Sequence, residues 1–191
     1  TMRSRTHVLA AIFGLAAVAS LAHAAPVTFI YTGFASGTLA GDAFDKQAFT
    51  ITGTADTDDV FATGAGWRVT HTSASIDFNS LGVLSVLQET STAVNNLSGI
   101  VVFGNVPPNL ALYILGSDPA FNTWDLLSSI GPFNLASSIL QWNLGPLSTS
   151  GGELILNSQT GVGTFEAIVI PAPASVGLFG LAGLAAARRR R

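Results

Sequence analysis

The sequence predicts an all-β protein: a single antiparallel β-sandwich, jelly-roll-like, flanked by an N-terminal signal helix and a C-terminal hydrophobic helix. Three observations lead there. Thr, Val, Ile and Phe come in short runs broken by Gly, Ser, Asn and Pro, the texture of strands joined by turns. No long apolar stripe at helical spacing interrupts those runs. The two ends of the chain differ from the middle, each carrying an apolar stretch next to arginines.

Residues 1–24 read as a secretory signal peptide. Arg3 and Arg5 supply a positive start and Val8 to Leu21 an apolar run. Ala22, His23 and Ala24 form the small-x-small step at which a leader is cut, which makes Ala25 the first residue of the mature chain.

Residues 25–169 form the sandwich body. Val27 to Phe34 opens it, with Val27, Phe29 and Tyr31 on one face, and Ala48 to Thr54 follows with Phe49 and Ile51 inward and Thr50, Thr52 and Thr54 outward. After a turn at Gly64 to Gly66, a long strand runs from Trp67 to Phe78. Its apolar parity changes between Val69 and Ala74, so a bulge is expected near Ser73. Leu81 to Gln88, Ile100 to Phe103 and Leu110 to Leu115 supply further strands, the last two separated by Asn105 and the Pro107-Pro108 corner. Asp118 before Pro119 is a helix-start signature, whereas Thr123 to Leu127 alternates as a strand; a strand led in by a turn is the reading adopted. Ser148 to Gly152 reads as a loop, and Glu153 to Asn157 with Val162 to Ile170 as a closing hairpin around Ser158 to Gly161.

Residues 170–191 have three parts in fixed order: Pro171, Ala172 and Pro173; an apolar run from Ala174 to Ala187; and Arg188, Arg189, Arg190 and Arg191. As a helix the apolar run is about 20 Å long, short of a hydrocarbon core of about 30 Å. It spans only with bilayer thinning or with the arginines reaching back to the surface, and those arginines stay on the cytoplasmic side. This tail resembles the PEP-CTERM sorting signal of Gram-negative bacteria, in which a Pro-Glu-Pro type motif, a short hydrophobic helix and an arginine cluster are read and cut by an exosortase. Ala172 stands where that family usually has Glu. The body resembles, more loosely, a recurrent PEP-CTERM ectodomain in the stretches Ser36 to Gly41, Phe49 to Thr57, His71 to Phe78, Thr123 to Pro132 and Thr149 to Ile155. The resemblance implies a protein exported across the inner membrane, held there transiently by the C-terminal helix, then placed at the cell surface or outside it. Its implied partners are the secretion machinery, an exosortase and extracellular polysaccharide, and its implied role is structural or adhesive in the polysaccharide or biofilm layer.

Charge agrees with that division. Six of the eight basic residues lie in the two end segments, leaving Lys46 and Arg68 in the body against all eleven acids, a formal charge of −9 for residues 25–170. Such a surface repels nucleic acid and anionic lipid. There is no cysteine, so stability comes from a packed core and not from disulfides.

The body is poor in catalytic groupings, and neither an enzymatic activity nor a cofactor is expected. It holds one histidine, His71, which shares parity with Trp67 and Val69 and reads as packed or hydrogen-bonded at a sheet edge. No serine sits in a G-x-S-x-G elbow. Asp56, Asp58 and Asp59 form one acidic cluster with the alternation of a cation loop but without the Gly and distal Glu of an EF-hand, so a solvated turn is the favoured reading. Trp67, Trp124 and Trp142 offer flat apolar rings for sugar stacking, which makes a carbohydrate-binding module the principal alternative. It requires at least two of them to be exposed on a common face. A secreted hydrolase, less favoured, would need His71 or a pair of acids in a cleft.

Overall fold

The computed structural model of the chain describes residues 24–106, 111–136, 138–142 and 145–170. Both end segments, with their cleavage step, sorting motif and arginines, lie outside the described residues, apart from Ala24, Ala25 and Ile170. So does the corner at Pro107 and Pro108. Among the described residues no helix is long and apolar enough to cross a membrane.

Thirteen strands are described: β1 (Pro26–Leu39), β2 (Asp42–Asp56), β3 (Phe61–Ala62), β4 (Gly66–Thr70), β5 (Ser73–Phe78), β6 (Gly82–Ser85), β7 (Thr90–Asn95), β8 (Ile100–Asn105), β9 (Leu112–Ser117), β10 (Ile130–Leu135), β11 (Ser138–Ile139), β12 (Leu147–Thr149) and β13 (Gly152–Val169). They form two antiparallel sheets, β10-β13-β1-β2-β5-β6 with β12 added on β13, and β11-β9-β8-β7-β4-β3. The all-β, two-sheet expectation holds. The finer jelly-roll-like description does not follow from these ladders, because β7, β8 and β9 run as a simple meander within one sheet.

The first two strands follow the alternation read from the sequence. Val27, Phe29, Tyr31 and Ala35 of β1 and Phe49, Ile51 and Ala55 of β2 are buried, while the threonines between them remain half-exposed. The inner faces of the two sheets share one core. Tyr31 from the first sheet meets Phe103 from the second with ring centroids 5.9 Å apart. The first sheet also returns on itself. An isolated bridge from Val86 to Thr149 joins the end of β6 to β12, completing a circuit through β13, β1, β2 and β5.

Four expectations are corrected. The stretch from Trp67 to Phe78 is not one bulged strand. β4 belongs to the second sheet and β5 to the first, so the change of parity marks the chain crossing the core at His71 and Thr72. The closing hairpin is one strand of 18 residues, β13, whose two halves both pair with β1. Its Ser158 to Gly161 stretch looks like a turn but lies beside a register shift opposite Thr32 and Phe34. After Asp118 a 3-10 helix forms over Pro119–Asn122, with the Asp118 carboxylate accepting the Ala120 N–H at 2.8 Å, and no strand follows at Thr123 to Leu127. The loop at Ser148 to Gly152 is a tight hairpin turn at Ser150 and Gly151, between β12 and β13. β7 and β10 are strands the pattern did not announce.

Candidate functional site

The polar residues that meet inside the core centre on His71. It ends β4's inward row after Val69 and lies between the sheets, 7% exposed, not at a sheet edge. Both ring nitrogens are engaged: Nδ1 lies 2.9 Å from the Thr90 hydroxyl and Nε2 2.9 Å from the Thr92 hydroxyl. Thr92 is also 3.0 Å from the Tyr31 hydroxyl, so a continuous chain of polar contacts runs from Thr90 through His71 and Thr92 to Tyr31. Phe103 stacks on the imidazole at 5.6 Å and 16°, and Phe29 approaches it at 5.7 Å.

β2 makes room for the ring through Gly53. A Cβ there would fall 2.7 Å from His71 Nε2, closer than any side chain tolerates, so the strand's inward row Phe49, Ile51, Gly53 and Ala55 is interrupted where the imidazole passes. β7 answers from the other side with Thr90 and Thr92, exposed by only 2% and 0%.

Burial disfavours the charged ring and lowers the His71 pKa from 6.5 to about 4. Tyr31, also buried, is held above its ordinary pKa because the phenolate would be desolvated, an effect partly offset by its bond to Thr92. The chain of contacts is therefore uncharged at neutral pH. Neither threonine nor the imidazole faces solvent, so the group serves to join the sheets and does not present a nucleophile to a substrate.

The other residues named from the sequence are scattered. Trp124 and Trp142 are core residues, 4% and 1% exposed, whose indole N–H groups donate to the carbonyls of Ser128 and Tyr113 at 2.9 and 2.8 Å. Trp67 is partly buried and packs on the same core. The three-tryptophan platform is thus corrected: two of its members are consumed by packing, because an indole in a closed core must satisfy its N–H there. Asp56 accepts the Asp58 N–H at 2.9 Å and caps a 3-10 helix over Thr57–Asp59, while Asp58 and Asp59 are exposed. Among the described residues no group of three or more His, Cys, Asp or Glu side chains is placed to hold a metal ion.

Sequence reasoning missed the roles of Thr90, Thr92 and Asn96. The Asn96 amide donates to the carbonyls of Phe121 and Trp124 at 2.6 and 2.9 Å and fastens the 3-10 segment to the second sheet. Nothing in the sequence singles out Thr90 and Thr92 among the body's threonines, and Asn96 stands out only as the first residue of an Asn-Leu-Ser triplet.

Comparison with known protein families, curated proteins and solved structures gives no match to this chain.

Proposed function

We propose that the chain is an exported protein whose two-sheet body is delivered to the cell surface or extracellular layer by a removable leader and an exosortase-read tail, where it acts structurally or adhesively and not as an enzyme. The observation that carries this reading is the order Pro171-Ala172-Pro173, apolar run, four arginines, at the opposite end from a leader-like segment. Supporting it, the strands nearest the two segments are neighbours: β1 begins at Pro26, β13 ends at Val169, and the Ile170 N–H donates to the Pro26 carbonyl at 2.9 Å. The first and last described strands of the body therefore end side by side, so a segment attached at either terminus starts from the same place on the body. The state of His71, enclosed and engaged at both nitrogens, favours a non-catalytic role.

The test is release. The full chain and a Pro171→Ala/Pro173→Ala variant are produced in a Gram-negative host with and without its exosortase, and the body is followed through membrane and extracellular fractions. The proposal expects extracellular body only for the unaltered chain with the enzyme present, and membrane-held body otherwise. Equal release in all four cases refutes exosortase sorting.

A further inference from the structure

From the geometry around Ala25 we infer that the end created by leader removal is itself a docking element: the α-ammonium of Ala25 seats on Thr57 within the acidic turn Asp56 to Asp59. The inference rests on the leader-removal reading, and its test separates the two. Ala25 is 9% exposed and joined to Thr57 twice: its nitrogen donates to the Thr57 hydroxyl at 3.0 Å, and the Thr57 N–H donates to its carbonyl at 3.0 Å. The second bond carries the backbone pairing of β1 and β2 one step beyond Pro26 and Asp56, and the first adds a side-chain contact to it.

The position is chemically specific. Cutting after Ala24 converts the Ala25 amide nitrogen, one donor, into an ammonium with three donors and a positive charge. One donor keeps the Thr57 hydroxyl. The charge then lies at a turn carrying Asp56, Asp58 and Asp59, in a body with only two other cations, Lys46 and Arg68. Lys46 is at the far end of β2; Arg68 is on β4, which packs against the turn. The acids by themselves would be a solvated cap; it is the paired bonds from Ala25 to Thr57 that fix what faces them. An amine at Ala25 is stabilised in its charged form by opposite charge and by hydrogen bonding to that form. Removing the leader therefore adds a charge to an edge of the fold that these two bonds already hold.

The sign follows from linkage. An α-amine bound more tightly to its proton in the folded state adds stability below the ordinary α-amine range and loses it as pH rises above the raised value. The full chain is expressed with its leader in a Gram-negative host, the exported protein is recovered, its N-terminus is mapped by mass spectrometry, and the α-amine is titrated by competitive acylation against pH. The expected result is an N-terminus at Ala25 whose proton affinity is about threefold above that of an exposed α-amine, and lower in Asp58→Asn/Asp59→Asn, where Asp56 and the Thr57 hydroxyl remain. Both aspartates are exposed, so that variant keeps its fold. An Ala25 terminus with ordinary affinity, unchanged in the variant, overturns the seat while leader removal stands. A terminus elsewhere overturns both.

Discussion

Two regions of one core are built on opposite rules. Around Phe165 the packing is aromatic: Tyr31, Phe121 and Trp124 lie at centroid distances of 4.8, 5.5 and 5.7 Å, and Phe121 also meets Phe133 edge-on. Around His71 it is polar, a line of hydroxyls and one imidazole enclosed between Phe29 and Phe103. The aromatic region depends on filled volume, and no titratable group governs it apart from the shared Tyr31. The polar region depends on every partner being present, because each buried donor or acceptor left alone costs its lost hydration. The difference teaches where this fold is sensitive to size and where it is sensitive to chemistry.

The sharpest break in the aromatic region is Phe165→Ala. It empties the meeting point of three rings and is expected to cost about 3–5 kcal/mol, read as a drop in the denaturant midpoint with little dependence on pH.

Acidification should strike the other region. The His71 pKa is lowered from 6.5 to about 4 in the folded state, so the unfolded chain binds the proton first. Stability is full above pH 6.5, declines as pH falls below it, and has lost about 3 kcal/mol once pH is below the folded value. A His71→Gln variant should lose that slope between pH 6.5 and 4, measured by chemical denaturation at each pH. Phe165→Ala should keep it.

Thr92→Val keeps the shape and removes the shared hydroxyl, leaving His71 Nε2 and the Tyr31 hydroxyl without their partner. A loss of about 1–3 kcal/mol is expected. Adding Tyr31→Phe should cost less than it does alone, since the hydroxyl it removes is already orphaned; strict additivity in the cycle would separate Tyr31 from the network.

Gly53→Ala should cost about 1–3 kcal/mol as well, because the imidazole must give way to the added methyl. The three atoms nearest to the added methyl all belong to the ring. In a His71→Ser background most of the cost should vanish, read from the same midpoints.

Legibility of the sequence divides along the same line. β1 and β2 could be read residue by residue because Val27, Phe29, Tyr31, Phe49 and Ile51 alternate with polar neighbours and their inward side chains are apolar. β7 could not, because its inward positions include Thr90 and Thr92, which are buried to satisfy a histidine and not for their own hydrophobicity. The crossing from β4 to β5 was visible as a parity change, but parity alone does not distinguish a bulge from a change of sheet. β13 reads as two strands because Ser158 to Gly161 has turn composition, and only its pairing partner β1 shows that the strand runs through. At Asp118 and Pro119 the capping chemistry outweighed the alternation after it, since the carboxylate-to-amide bond is local and forms whatever lies downstream. As for the site, His71 was legible as a packed residue and Asp56 as a turn former. The burial of Trp124 and Trp142 is not legible in the sequence, because exposure is decided by which strands close over them.

The proposed delivery needs both terminal segments to act as signals for a β-sheet body. The most direct measurement is the intact mass of the protein recovered from outside the cell, resolving both ends at once. Delivery of that kind leaves a chain that starts at Ala25 and lacks Arg188 to Arg191. A chain confined to the cytoplasm with Arg3 to Leu21 and all four terminal arginines still attached would contradict it.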